Sequence, residues 1–320
     1  MHDSIINVAA GLIIRPDGQL LLGQRPEGKP WAGWWELPGG KLEPGETVLQ
    51  ALARELQEEI GIEVTQAVPW VTYVHAYPHT TVRLSFCHVT AWRGEPRGLE
   101  NQRLAWVDPA QAAQVGELLP ATLPPLRWLQ LPECYGISSI GSMAGIAPFL
   151  ERLERALARG LKLVQLREPH WPDGIAAPSL QEAFREAIKR CHAAGARVLI
   201  NSVHPEAWWR HADGVHLRWQ DAAALSTRPN LPEGALVGVS AHNNAQIVHA
   251  RDLGADFAVL GAVLETPSHP GEPGIGWDGF VTANTDAGLP VYALGGQSID
   301  TLSEARRRGA HGIAGIRALI

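Results

Sequence analysis

Residues 40–62 read GKLEPGETVLQALARELQEEIGI, and the spacing of their charges decides how the first half of the chain is read. Pro44 and Gly45 supply a turn, and Thr47 with Gln50 three residues on is a capping-box pattern. A helix starting there would leave through Gly61, a residue suited to the left-handed exit conformation. Leu49, Leu52, Ala53, Leu56 and Ile60 recur at helical spacing and give that helix a face to bury. Glu55, Glu58 and Glu59 stand beside this arc. Carboxylates at i, i+3 and i+4 lie about 5–6 Å apart at Cβ and repel unless a cation sits among them. The plainer alternative is a solvated acidic face. Against it stand Arg54, an orienting partner next to the acids, and Gly39, Gly40 and Gly45, whose backbone lets a ligand approach closely.

The same residues fit the pattern G-x5-E-x7-R-E-U-x-E-E-x-G-U, where U is a bulky apolar residue. Gly40, Glu46, Arg54, Glu55, Leu56, Glu58, Glu59, Gly61 and Ile62 occupy its fixed positions. This stretch resembles the Nudix hydrolases. The segments W-E-L-P-G-G-K, W-R-G-E-P-x-G-x-E and L-P-A-T-L-P-P-L, spread over residues 4–131, are similar to the MutT branch, which removes 8-oxo-dGTP. The resemblance implies an α/β/α sandwich that uses Mg²⁺, with Mn²⁺ as the alternative. It also implies cleavage of a nucleoside triphosphate to monophosphate and diphosphate by water attack at phosphorus.

By position, Arg25 would meet phosphate, while Glu36, Leu37, Pro38 and Gly39 would frame the base or metal. Glu55, Glu58, Glu59 and Gly39 would hold the metal and Glu100 would complete its shell. Either Glu55 or Glu100 would take the proton from water, with Glu58 and Arg54 in the acting set. Where MutT enzymes place an asparagine to read the oxidised guanine edge, this chain has Thr122, whose single hydroxyl reaches less far.

Around this helix, residues 5–14 and 19–23 are β-prone runs about the turn Pro16-Asp17-Gly18, a hairpin reading. Trp31, Trp34 and Trp35 read as a packed wall rather than a base-stacking site. Strands are expected at 67–76, 81–92 and 104–107, and short helices at 109–115 and 124–131.

The 320-residue chain, 45% apolar and 19% charged, is long enough for two domains, expected at 1–132 and 133–320. A net charge of −6 opposes a sequence-independent grip on DNA or RNA, so no nucleic-acid polymer is expected as partner. Three dispersed cysteines suggest neither a disulfide framework nor a zinc site. The N-terminal run lacks the charge pattern and length for export or membrane spanning, so a cytoplasmic protein without membrane attachment is expected.

From Tyr135 onward the pattern changes to short apolar runs alternating with amphipathic helices, which argues for a compact (β/α)8 TIM barrel. Polar residues and glycines collect after the expected strands: Gln165, Arg167 and Glu168, then Asn201, then His216 and Asp221, Ser240 and His242, Glu265 and Thr266, and Gly295-Gly296. In a barrel these ends converge on one face, where sites form.

The runs Q-L-R-E, A-D-G-V-H-L-x-x-x-D, G-V-S-A-H, G-A-D-F-A-V-L-G-A-V-L-E-T and A-L-G-G resemble the thiamine-phosphate synthase superfamily. Its synthases join a pyrimidine diphosphate to a thiazole phosphate with magnesium. This chain departs from their pattern at Pro169, Ser202 and His269, where lysine, aspartate and lysine are expected. Arg317 replaces a small phosphate-binding residue and no eighth helix is expected. The branch that fits these losses is the thiazole tautomerase, whose acid–base histidine corresponds to His242. Gln165, Arg167, Asn201, Ser240, Thr266, Gly295 and Gly296 would then contact a phosphorylated thiazole-like ligand. A non-catalytic ligand sensor is the alternative.

Overall fold

The computed structural model describes residues 5–266, 271 and 273–320, so His269 lies outside the described residues. The chain forms two compact units, Met1–Leu131 and Pro132–Ile320. No helix among the described residues is long and apolar enough to cross a membrane.

The first unit runs β1 (Ile6–Ile13), β2 (Leu20–Gln24), β3 (Trp35–Glu36), β4 (Gly39–Lys41), α1 (Val48–Ile60), β5 (Glu63–Tyr77), β6 (Thr80–Arg93), β7 (Leu104–Val107) and α2 (Leu123–Trp128). A sheet ordered β4-β1-β6-β5 lies beside a smaller one ordered β3-β2-β7. Strand β1 is apolar on both faces because it feeds two cores. Ala9 and Ile13 join Leu52, Leu56 and Ile60 of α1, while Ala10 and Leu12 join Trp70, Phe86 and Leu126 on the opposite side. This is the expected α/β/α sandwich. Gly11 belongs to the α1 side, where an added Cβ would come within 3.2 Å of Leu56.

Two expectations fail here. The 5–14 and 19–23 runs do turn, but they meet at only the Ile14–Leu20 bridge before parting into different sheets, so no hairpin forms. Strand β1 instead pairs parallel with β6, and β2 antiparallel with β7. The apolar run of β1 needs cover on two faces, which an isolated hairpin cannot give. Leu49 is the other miss. It is 39% exposed, and Ala51 takes its place in the buried stripe.

The second unit runs β8 (Cys134–Ile137), α3 (Ile146–Ala158), β9 (Leu163–Leu166), α4 (Pro178–Ala193), β10 (Arg197–Asn201), α5 (Glu206–Trp209), β11 (Gly214–Leu217) and α6 (Trp219–Ala222). It continues through β12 (Leu236–Ala241), α7 (Asn244–Asp252), β13 (Phe257–Gly261), α8 (Gly276–Asn284), β14 (Val291–Leu294), α9 (Leu302–Arg307) and β15 (Gly312–Gly315). Among the described residues, the strands β8 to β15 close into a parallel barrel, with β15 paired to β8. Helices α5 and α6 are single turns too short to show a periodicity, and α8 has no long apolar stripe, so none of the three is marked by a pattern in the sequence.

Helix α1 is bounded as its caps dictate. Thr47 Oγ1 accepts from Gln50 N at 3.3 Å, Gln50 Oε1 accepts from Thr47 N at 2.9 Å, and Gly61 closes the helix at φ 71°. Thr47→Ala should therefore lower the first unit's stability by about 1 kcal/mol. Leu52→Ala should cost about 2–5 kcal/mol, and the exposed Leu49→Ala less than about 0.5 kcal/mol. Urea denaturation of the three variants checks this order.

Candidate functional site

Burying Leu52, Leu56 and Ile60 turns the acidic side of α1 toward the β4 turn. Arg54 organises that side. Its Nε and Nη2 donate to Glu46 at 2.8 and 2.9 Å, its Nη1 to Glu55 at 2.9 Å and Glu58 at 3.3 Å, and its Nη2 also to the carbonyl of Lys41. The hydrogen bonds from Arg54, with one from Glu43 N, hold the Glu46 carboxyl down to about 2. The Glu55 carboxylate lies directly over Gly40, where an added Cβ would fall 2.1 Å from Glu55 Cδ. Gly39 is fixed by φ 144° and by Ala9 O, 2.1 Å from its own would-be Cβ.

Glu59 Oε2 accepts from Gly39 N at 3.3 Å. Burial pushes the Glu59 carboxyl up to about 7, and the charges of Glu100 and Glu55 push the same way. Glu100 itself pairs with Lys29 at 2.5 Å, and Gln102 ties it to the helix by accepting from Glu100 N and donating to Glu59 O, both at 2.8 Å. Glu58, more than half exposed, stands at the rim.

Among the described residues no three His, Cys, Asp or Glu side chains already converge on an ion position, because Arg54 and Lys29 hold these acids. The donor set nevertheless fits magnesium. It consists of oxygens on a hard-cation pattern, and a buried carboxyl facing two further carboxylates is relieved by a cation among them. Glu55, Glu59, Glu58, Glu100 and the Gly39 backbone are the groups that would hold it.

A cleft next to these acids is lined by Arg25, Lys29, Glu36, Glu59, Glu100 and Gln102. Arg25 is already engaged, with Nη1 2.8 Å from both oxygens of Glu36 and Nε donating to Pro30 O at 2.7 Å. It is therefore less available to phosphate than its position in sequence suggests. Leu37 is buried and Pro38 O accepts from Gly11 N, so both act as scaffold as well as cleft wall. Tyr77, in the field of Arg25 and Glu36, is hydrogen-bonded to the backbone of Ala121, beside the buried Thr122. Of the tryptophans, Trp35 is buried as expected; Trp31 is 42% exposed and lies 4.8 Å from Trp34 and 6.0 Å from Tyr77.

In the barrel, Gln165, Asn201, His216 and Ser240 meet around Tyr135. Burial, and then the charge of Arg167, push the His216 imidazole down to about 3. Arg167 is largely buried, and among the described residues no acceptor is placed on its guanidinium. His242 is exposed. Its Nδ1 donates to Gly261 O at 3.1 Å, which turns the Nε2 lone pair outward. Thr266 Oγ1 is buried without a partner among the described residues. Gly295 and Gly296 have positive φ and pack on Ala262 and Leu264, within 2.8 and 2.7 Å of would-be Cβ atoms, so close packing alone accounts for both glycines. Glu168 accepts from Ser138 Oγ, Ile140 N and Gly141 N, and so anchors the loop after β8.

The magnesium of the synthases does not fit this barrel. Asp221 is occupied by Arg218, at 2.6 and 3.0 Å, and by the Ser202 hydroxyl at 2.5 Å. Arg218 N in turn donates to Ser202 Oγ. A guanidinium thus fills the cation's electrostatic role at this carboxylate.

Comparison with known proteins agrees with both halves of this geometry. Residues 6–129 match the NUDIX domain family and residues 134–319 match the family described as Thiamine monophosphate synthase. The chain belongs to both families, a Nudix hydrolase unit joined to a thiamine monophosphate synthase unit.

It is 44% identical over 121 residues to the 8-oxo-dGTP diphosphatase of Haemophilus influenzae, covering 38% of this chain and 88% of that protein. It is 41% identical over 123 residues to the CTP pyrophosphohydrolase of Escherichia coli, covering 38% and 90%. The thiamine-phosphate synthase of Synechococcus sp. (strain WH7803) is 34% identical over 188 residues, 58% of this chain and 51% of that protein, so the chain spans about half of that relative.

Lys29, Gln102, Tyr77, Tyr135 and Arg218 went unremarked in the sequence. Each is an ordinary residue whose part comes from a contact across the fold; only Arg218, three residues before Asp221, carried a local signal.

The His216 value sets a pH dependence. Between about pH 3 and 6.5 the unfolded chain binds a proton on this imidazole and the folded one does not, so stability falls as pH drops through that window. From pH 6.5 to 4.5 this residue should cost the second unit about 2 kcal/mol. Denaturation midpoints of His216→Gln should fall correspondingly less over the same interval.

Proposed function

We propose that the first unit hydrolyses nucleoside triphosphates to monophosphate and diphosphate with the help of a divalent cation, Mg²⁺ or Mn²⁺, and that oxidised guanine nucleotides are its substrates. The observation that carries this reading is the acidic row of α1, held by Arg54 over the Gly39-Gly40 turn beside a cleft that contains Lys29. When bound, the cation neutralises phosphate charge and acidifies a water.

The protein does the rest. Gly39 and Gly40 let Ala9 O and the Glu55 carboxylate pack directly on the turn, which sets the acids at the edge of the cleft where a polyphosphate would lie. Lys29, half exposed, meets the phosphates and leaves Glu100, whose carboxylate would then help hold the cation beside Glu59. Glu55, fixed by Arg54 at one oxygen, keeps its other oxygen for a water proton. Arg25 and Glu36, locked together, form the rim against which the base is placed, and Thr122 and Tyr77 stand on that side. The 8-oxo-dGTP diphosphatase relative supports oxidised guanine; the CTP pyrophosphohydrolase relative marks a pyrimidine nucleotide as the competing assignment.

For the second unit we infer a phosphate-ligand site that works without a divalent cation and no longer makes thiamine phosphate. Arg218 on Asp221 supports this, as does the guanidinium of Arg167, on which no acceptor is placed among the described residues. The proton-transfer reading assigns His242 Nε2 as the base on a thiazole-like ligand. A ligand sensor is the alternative.

Three measurements test these readings. Glu58→Gln should fold normally and lower turnover at saturating nucleotide at least about tenfold, or about 1.4 kcal/mol of barrier; unchanged turnover removes Glu58 from the mechanism. In a panel of 8-oxo-dGTP, dGTP and CTP, the oxidised nucleotide should be cut fastest, and Thr122→Asn should widen its lead over dGTP about tenfold. Equal rates for 8-oxo-dGTP and dGTP would defeat the sanitation reading. With pyrimidine diphosphate, thiazole phosphate and Mg²⁺, the full chain should form no thiamine phosphate, and a His242→Ala variant should lose any thiazole isomerisation the chain shows.

A further inference from the structure

The segment that leaves β9 has Arg167 and Glu168 at its start and Ile175 near its end, and one side chain from another loop holds both ends. His204 follows β10 and is 2% exposed. Glu168 N donates to its Nε2 at 3.0 Å, and its Nδ1 lies 2.9 Å from Ile175 O. A backbone amide can only donate and a backbone carbonyl can only accept. The ring is therefore a neutral imidazole with its proton on Nδ1 and a lone pair on Nε2.

The strap between these two bonds lies largely in solvent. Residues 172–176 are exposed, while Trp171 is buried and donates from Nε1 to Ser179 Oγ at 3.2 Å. At its start the strap is joined to a second loop. The Glu168 carboxylate accepts from Ser138 Oγ, Ile140 N and Gly141 N, and Ser138 Oγ accepts from Arg167 N at 2.9 Å. His204 thus closes the strap and, through Glu168, bears on the loop after β8.

An imidazolium carries N–H on both ring nitrogens. A proton added at Nε2 would point at the Glu168 N–H, donor against donor, and that hydrogen bond is lost.

We propose that His204 is an acid-sensitive latch on the β9–α4 strap, closed while its ring is neutral and released when Nε2 takes a proton, so that pH governs how Arg167 is held after β9. The latch is a property of the fold and does not depend on which ligand the second unit takes.

The charged groups that face the ring are Glu168 and Arg167 from the strap and Arg218 from the segment after β11. Phe184 of α4 meets it edge-on at 4.9 Å, and Trp208 of α5 stacks on it at 5.7 Å. Burial holds the imidazole below the ordinary histidine range; Arg167 and Arg218 push the same way, and the Ile175 carbonyl and the Glu168 charge push back. The unfolded chain therefore protonates this residue first. The latch contributes fully at neutral pH, and its contribution is lost as pH falls through the histidine range.

Two measurements on the full chain test this. In protein labelled with ¹⁵N-histidine, with His204→Gln used to assign the resonance, long-range ¹H–¹⁵N correlation reports the ring tautomer. Hydrogen exchange of peptides covering residues 168–177, corrected for the intrinsic pH dependence of exchange, reports the strap. The expected ring is the Nδ1–H tautomer at about pH 7.5, taking a second proton toward about pH 5. Over the same interval strap protection should fall at least about tenfold while the β9 and β10 peptides keep theirs. In His204→Gln the amide oxygen accepts from Glu168 N and takes no proton, so strap protection should no longer respond to pH.

A wild-type ring protonated at Nε2 at neutral pH overturns the latch without any variant having to fold. Strap protection that stays level while the ring protonates, or a ring that stays neutral throughout, overturns the release. Equal acid sensitivity in His204→Gln assigns the opening to another group and overturns the role of His204.

Discussion

Arg54 is the fixed charge on which the arrangement of the first unit's acids depends. It is in contact with Glu46, Glu55 and Glu58 at once, and it also reaches the Lys41 carbonyl. Without it, carboxylates spaced i, i+3 and i+4 on one helix would repel and swing apart. With it, Glu55 is pinned over Gly40 and the helix is tied to the Gly39–Lys41 strand. The apolar stripe of α1 sets which way the acids face, and Arg54 sets where along that face each carboxylate rests. Stability and chemistry therefore share one helix but use opposite sides of it.

That helix was the most legible part of the chain. Its caps and three of its glutamates are local signals, readable because a helix places i, i+3 and i+4 together whatever surrounds it. Leu49 misled for a local reason: an apolar residue in the first turn satisfies the spacing even when the core begins at Ala51. The hairpin failed for a non-local one, since nothing within residues 5–23 records that β6 and β7 will intervene. The barrel's alternation was plain over β8 to β15, but the single-turn helices α5 and α6 are below the length at which periodicity exists. Lys29 was illegible as a site residue for the same reason as the hairpin partners, because only the fold brings it to Glu100. Arg218 stands three residues before Asp221, so that pairing alone had a local signal.

The two units treat polar groups in opposite ways. In the first, carboxylates outnumber the cations that face them around Glu59, and the excess leaves an acid poised near neutrality in the absence of a metal. In the second, the interior holds neutral amides, a phenol and a neutral imidazole, each satisfied by the next. Burial makes such a network rigid, because a member turned the wrong way would leave a donor facing a donor. Charge stands in the loops that follow the strands, in Arg167, Arg218 and Asp221, and in Glu168, which is buried but satisfied by Ser138 Oγ and the Ile140 and Gly141 amides.

How tightly each ion pair is held separates the part that can exchange from the part that cannot. The Lys29–Glu100 pair is a single contact between side chains that are 45% and 42% exposed, and such pairs are worth about 0–1 kcal/mol. A polyphosphate or a cation can break it at little cost, which is what a carboxylate that must change partners needs. Arg218 grips Asp221 with two hydrogen bonds, and Ser202 adds a third while itself being held by Arg218 N. To admit a metal, Asp221 would have to lose all three and leave a guanidinium unpaired beside the incoming cation, next to Arg167. Like charges at that spacing oppose the exchange. On the proposed function, the barrel mouth receives an anion, whereas the acidic helix of the first unit receives a cation together with its anion.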